Sequence, residues 1–230
     1  MRRTALTVFP CSHIHDRVIN NHPARMYNIP NLITLARVGL TLVLFVLLAF
    51  QCYLASFVLF VLAAGTDWVD GYWARRYGQI TQLGRVLDPF ADKLIIGGTF
   101  IFLCAVPPLA DGNSASGIAA WMTVVIVGRE LLVTALRSFV EHSGGDFSAK
   151  WAGKWKMAFQ CAAACFCMFR LTYFDSATGH WSAPPPAWMG YGLTITIWLA
   201  IVLTIYSGMG YLQSAWQVLR EADTGRRGSE

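Results

Sequence analysis

Six apolar stretches of roughly 20 residues each leave this chain few folds to choose from. They run approximately over Asn31–Phe50, Tyr53–Trp73, Pro89–Pro107, Gly117–Val140, Gly153–Tyr173 and Ala187–Leu212. At about 1.5 Å of rise per residue, each matches the roughly 30 Å hydrocarbon core of a bilayer as a helix. The runs are continuous, not alternating segments of about ten residues, so they predict helices and not barrel strands. The second and third carry acidic residues at one end, which weakens their apolar character. The expected fold is all-α: a polytopic membrane protein with six transmembrane helices. Of 230 residues, 55% are hydrophobic and 13% charged, whereas soluble domains hold roughly 25% charged residues. A water-soluble core could not hide so much apolar surface.

No polar linker divides the middle of the chain. One membrane domain is therefore expected over residues 28–214, with an N-terminal extension over 1–27 and a C-terminal tail over 215–230, disordered after Ala222. Asn28, Ile29, Pro30 and Asn31 suit the capped start of the first helix. Breaks are expected over 79–82 and 141–148, with a proline-rich loop over 176–186 on the opposite side.

Basic residues gather at one set of span ends, among them Arg75, Arg76, Arg85, Lys93, Arg137, Lys150, Lys154, Lys156 and Arg220; the other side offers only Arg170. This asymmetry predicts that both termini lie in the cytoplasm. The net charge of +5 is thus a signal of topology and of attraction to anionic lipid, with no nucleic-acid partner implied. The first 27 residues contain no long apolar segment of the signal-peptide kind. His13 and His15 in that extension read as part of a polar tail and not as metal ligands. The six cysteines form no CxxC pair, and Cys161 and Cys165 share a helix face rich in alanine, which points to packing.

Against this apolar background four carboxylates stand close together: Asp67, Asp70, Asp88 and Asp92. Spacings of three and of four put each pair on one helix face. Gly71, Ala74 and Gly84 lie among them, and small residues let a ligand or backbone come near. Bare carboxylates so placed would repel one another and would be costly near a membrane. Divalent cations relieve both problems, and hard oxygen donors suit magnesium, manganese or calcium better than zinc. Two such ions can grip phosphate oxygens during displacement at phosphorus. Taken singly, the residues have plainer readings. Asp88 before Pro89 fits a helix N-cap, Asp67 and Asp70 fit solvated interfacial positions, and Asp92 could pair with Lys93 or Arg85.

The order Asp67-x2-Asp70-Gly71-x2-Ala74-Arg75-x8-Gly84-x3-Asp88-x3-Asp92 resembles, at every fixed position, the signature of the CDP-alcohol phosphatidyltransferases. The resemblance implies a six-helix membrane fold, usually dimeric, with the site open to the cytoplasm and bilayer. It implies that Asp67, Asp70, Asp88 and Asp92 hold two ions, Mg2+ or Mn2+, and that Asp92 is also the general base. Gly71, Ala74, Arg75, Thr81 and Gly84 then match positions used for the CDP-lipid, with Asn31 and Thr34 assisting near the nucleotide.

The element from Asn28 to Arg37, Gly128-Arg129-Glu130 with Arg137, and Gly153-Lys154-Trp155-Lys156 resemble the bacterial branch of that family that forms phosphatidylglycerophosphate. This likeness runs from Asn28 to about Leu212. It implies CDP-diacylglycerol and glycerol 3-phosphate as substrates, a role in phosphatidylglycerol and cardiolipin synthesis, membrane lipid and a second copy of the chain as partners, and a bacterial inner membrane as the location. Physical chemistry agrees with an anionic acceptor. Arg129 and Arg137 are eight apart, within about 80° of one helix face, and intramembrane arginines are expensive without a counter-charge. A phosphate monoester, with about two negative charges, would suit Arg129, Arg137, Lys154 and Lys156. The plainer readings are pairing of Arg129 with Glu130 and membrane anchoring by Lys154 and Lys156. Inositol phosphate, serine or phosphatidylglycerol as acceptor is the nearest alternative. A divalent-cation transporter would place its ion sites near mid-bilayer, whereas this cluster falls at the expected cytoplasmic ends of spans two and three; prenyl-diphosphate chemistry would leave Gly71, Ala74 and Arg75 unexplained.

Overall fold

A computed structural model describes residues 29–77, 82–142 and 151–227. Among them are six helices, α1 (Ile29–Ala49), α2 (Tyr53–Tyr77), α3 (Gln82–Cys104), α4 (Ala120–His142), α5 (Trp151–Leu171) and α6 (Ala187–Arg227), and one hairpin of β1 (Phe174–Asp175) and β2 (His180–Trp181). The helices follow the apolar stretches closely, with two corrections. First, α3 begins at Gln82, so Pro89 lies within the helix and Asp88 is not its N-cap. Proline forfeits one hydrogen bond there, which a helix tolerates more readily near its start than at its centre. Second, the tail expected to be disordered after Ala222 is helical as far as Arg227. Good helix formers from Leu219 to Ala222 carry α6 past the end of its apolar stretch.

The turn between α1 and α2 takes three residues. Gln51 adopts φ 59°, its N–H donates to Leu48 O at 3.0 Å, and that of Cys52 donates to Leu47 O at 2.9 Å. This is a Schellman C-cap with glutamine in the place usually held by glycine.

α1 packs on both α2 and α3, α5 packs on α6 and α2, and α4 bridges α3 and α6. The shared core includes Leu44, Phe60, Phe100, Ile126, Met168 and Ile197, all essentially inaccessible. Close approach depends on glycine at two crossings. A Cβ on Gly98 of α3 would overlap the Phe45 ring of α1, and one on Gly192 of α6 would come within 2.8 Å of Phe166 in α5. Ala163, Ala164 and Cys167 make a small, buried face on α5, and the Cys167 thiol donates to Ser116 O at 3.2 Å. Cys161 and Cys165, on the neighbouring face of α5, are partly buried against the same core, in keeping with a packing role.

At one end the loop after α3 and the hairpin close over the bundle. Ala110 N–H donates to Gly179 O at 2.9 Å, and Arg170 lies over the Trp181 ring at 4.9 Å. In the same loop, Asn113 donates its backbone N–H and side-chain amide to Asp111, holding that exposed carboxyl below its ordinary pKa. The chain's alternation puts the first turns of α1, α3 and α5 and the last turns of α2, α4 and α6 at the opposite end, which carries the candidate site.

Large apolar side chains face outward along the helices: Leu35, Leu42 and Val46 on α1, Val58 and Leu62 on α2, Ile195, Val202 and Ile205 on α6. Among the described residues, only α6 is by itself long and apolar enough to cross a bilayer, over Ala187–Gln213. Shorter apolar stretches occupy Thr34–Ala49 and Tyr53–Thr66. Charges interrupt the other helices, for example Lys93 in α3, Arg129 in α4 and Lys156 in α5.

Candidate active site

Asp67 and Asp70 belong to the last turns of α2, and Asp88 and Asp92 to the first turns of α3. Four residues, 78–81, join the two helices, which keeps Tyr77 and Gln82 within about 18 Å of each other. Helix rise then sets Asp70 and Asp88 each about 10 Å from the connection, and Asp67 and Asp92 each about 15 Å. By helix rise alone, the two acidic pairs lie at matching distances along the chain from the connection. The side chains of Asn31, Asp67, Asp70, Gly71, Ala74, Arg75, Gly84, Asp88 and Lys154 lie outside the described residues, as does Thr81 altogether.

Asp92 is described, and its geometry is specific. One carboxylate oxygen lies 3.6 Å from Nη1 of Arg37, which reaches across from α1. The arginine side chain is 2% exposed and the aspartate 34%, so the carboxylate sits at the mouth of the bundle with a buried cation behind it. Thr34, one turn before Arg37, is also buried. The plainer pairing of Asp92 with Lys93 is replaced by this contact between helices, because consecutive residues on a helix point about 100° apart.

On the other side of α3 a second polar group forms between α4, α5 and α6. Glu130 receives the Arg129 guanidinium at 3.1 Å and also pairs with the buried Lys156 ammonium. Arg129 donates to Ser207 Oγ as well and lies 5.7 Å from the centre of the Tyr211 ring. Arg129 and Lys156 thus meet at one carboxylate, as the plainer reading of Arg129 anticipated. Beside them opens a cavity of about 680 Å³ lined by Lys93, Glu130, Thr134, Arg137 and Tyr211, with Pro89 at its edge. Arg137 faces this space while Arg129 and Lys156 close on Glu130.

Arg37 and Glu130 lie within the stretches linked above to the acceptor, without a site role of their own there; Lys93 stood only as a possible partner of Asp92, and Ser207 and Tyr211 had no assigned role. A signal existed for Arg37, an arginine three residues after Thr34 inside an apolar helix. For Ser207 and Tyr211 there was none, since a hydroxyl in an apolar run has no period of its own.

The donor set suits a divalent metal. Carboxylates are hard oxygen ligands, neither histidine nor cysteine lies among them, and Asp92 is partly exposed at the bundle mouth.

The family model for CDP-alcohol phosphatidyltransferase matches residues 27–206, and the chain belongs to that family. Three relatives bear the name CDP-diacylglycerol–glycerol-3-phosphate 3-phosphatidyltransferase. That of Bacillus subtilis is 30% identical over 213 residues, covering 86% of this chain and 100% of its own length. The Pseudomonas fluorescens protein is 36% identical over 206 residues, covering 84% and 92%. An Arabidopsis thaliana protein of that name, numbered 2, is 31% identical over 207 residues, covering 85% and 83%.

Proposed function

We propose that this chain transfers the phosphatidyl group of CDP-diacylglycerol to sn-glycerol 3-phosphate, giving phosphatidylglycerophosphate and CMP on the way to phosphatidylglycerol and cardiolipin. The observation that carries the reading is the near full-length match to relatives of that name, at 30–36% identity, in a chain that keeps every fixed position of the acidic signature.

A bacterial inner membrane covers the outward apolar faces in this reading. The outward Leu42, Val46, Val58, Ile195 and Val202 support it, since soluble monomers rarely expose contiguous apolar patches beyond a few hundred Å². All six helices then cross or enter the bilayer as one domain over residues 28–214, with both termini cytoplasmic and a second copy completing a homodimer. Mutual support within the bundle lets α3, α4 and α5 carry charges that a lone span would not.

Asp67, Asp70, Asp88 and Asp92 would hold two ions, magnesium or manganese, which when bound neutralise phosphate oxygens and the leaving CMP. Arg75 grips the pyrophosphate of the CDP-lipid, with Thr81 and Thr34 offering hydroxyls, Asn31 an amide, and Gly71, Ala74 and Gly84 room for close approach. Asp92 accepts the proton of the acceptor hydroxyl, whose oxygen bonds to the lipid-side phosphorus while the bond from that phosphorus to CMP breaks. Arg37 holds Asp92 in place across the α1–α3 contact. The basic cluster of Arg129, Arg137, Lys154 and Lys156 draws the acceptor's phosphate toward this point. Positioning and fixed charge supply most of the acceleration.

Product identification tests the reading. Purified protein with radiolabelled CDP-diacylglycerol should form phosphatidylglycerophosphate when offered glycerol 3-phosphate, and little product with inositol phosphate, serine or phosphatidylglycerol. Preference for one of those three overturns the acceptor assignment.

A further inference from the structure

Arg129 and Glu130 are neighbours on α4, and consecutive residues on a helix point about 100° apart. The guanidinium must curl back to reach the carboxylate, so the 3.1 Å contact of its Nη1 with Oε1 does not by itself fix the plane of the fork. A second contact comes from another helix. Nη2 donates to the Oγ of Ser207 on α6, a residue that is 7% exposed. Two nitrogens held from two helices set the guanidinium plane, whereas a single contact leaves a swivel. Gly208, next on α6, lets the arginine stem lie close: a Cβ there would stand 3.4 Å from the Arg129 Cγ and 3.9 Å from Nε. Nε is buried and makes no hydrogen bond, so the hold rests on the two Nη ends.

A serine inside an apolar helix has a plainer role, donating to a carbonyl one turn back. Such a bond would use only the hydroxyl proton, and the oxygen still accepts from Arg129. We infer that Ser207 is a positioning residue for the reaction: it fixes the orientation of Arg129, and with it the direction in which the anionic acceptor is drawn toward Asp92. Of the five N–H groups of a guanidinium, one is directed at Glu130 and one at Ser207, and where the others point follows from that hold. Ser207 meets no substrate in this role and acts only through Arg129. α6 thereby enters the reaction, although it carries none of the acidic signature. The inference deepens the proposed function and rests on it for the part played by Arg129.

Steady-state kinetics and thermal unfolding of the full-length protein in detergent test the inference. Ser207→Ala should raise KM for glycerol 3-phosphate about five- to tenfold, the expected loss of a hydrogen bond to a charged group. KM for CDP-diacylglycerol should stay within about twofold, and kcat should fall by less than the acceptor KM rises. Ser207→Thr, which keeps the hydroxyl, should recover most of the loss. In an Arg129→Gln background, Ser207→Ala should change the acceptor KM by less than about twofold, because the interaction is already gone. A serine with only a packing role would instead act alike in both backgrounds. The glycerol 3-phosphate concentration that half-maximally raises the melting temperature should shift in the same pattern, independently of turnover. An unchanged acceptor KM in Ser207→Ala, where Arg129→Gln raises it, overturns the inference alone. Equal effects of Ser207→Ala in the two backgrounds overturn it as well. If Arg129→Gln itself leaves the acceptor KM unchanged, the part given to Arg129 in the proposed function falls, and the inference falls with it.

Discussion

Arg37 of α1 and Asp92 of α3 meet at 3.6 Å, the arginine buried and the aspartate partly open to the bundle mouth. The contact joins the first helix of the bundle to the helix that completes the acidic signature. Removing the cation would take away one anchor of the Asp92 carboxylate and one polar tie between α1 and α3.

Arg37→Met should therefore lower turnover by at least about tenfold, since misplacing a reacting group by about 1 Å costs more than that. Arg37→Lys should recover part of the loss, because it keeps the charge but not the planar fork. Steady-state kinetics on both variants checks this, with the fall expected in kcat more than in KM for either substrate.

Glu130 is the shared counter-ion of Arg129 and Lys156. Glu130→Gln would leave two half-buried to buried cations facing one another, and breaking a buried ion pair on one side costs about 3–5 kcal/mol. A marked drop in thermal stability is expected. In the double variant Glu130→Gln/Lys156→Met that drop should be smaller than in Glu130→Gln alone. Unfolding followed by intrinsic fluorescence in detergent measures both.

At the crossing of α1 and α3, Gly98 faces the ring of Phe45. Gly98→Ala should destabilise the protein by about 1–3 kcal/mol through overpacking. Combining it with Phe45→Leu should restore part of the loss, so the two changes should not add. The same thermal measurement reads the coupling.

Gln51 pays a conformational cost at φ 59° in the turn after α1. Gln51→Gly should stabilise the chain by roughly 1 kcal/mol, seen as a higher unfolding midpoint with unchanged activity.

The helices were legible because apolar length is written directly into the residues, and the boundaries of α1, α2 and α5 fall within a few residues of the expected ones. Pro89 and the tail after Ala222 misled the boundary reading for the same reason. Local rules for proline and for charged tails describe isolated segments, whereas a helix already nucleated runs through one proline or continues beyond its apolar part. The acidic signature was equally plain, four carboxylates being conspicuous in so apolar a chain. What stayed hidden was pairing across helices. Spacing puts Arg129 and Arg137 near one face of α4, but only packing against α5 and α6 turns Arg129 to Glu130 and Ser207 while Arg137 keeps to the cavity. Lys93 was read as a possible partner of its neighbour Asp92. The tie from Arg37 took that place, and no pattern along α3 alone could reveal it.

The account stands most directly on Asp92 as the base at a carboxylate-held phosphoryl-transfer site. Formation of phosphatidylglycerophosphate and CMP from CDP-diacylglycerol and glycerol 3-phosphate should be measured for the purified protein and for Asp92→Asn at matched folding, judged by thermal unfolding. The unmodified protein should turn over, and Asp92→Asn should lose nearly all activity while remaining folded. Substantial turnover by folded Asp92→Asn would contradict the account.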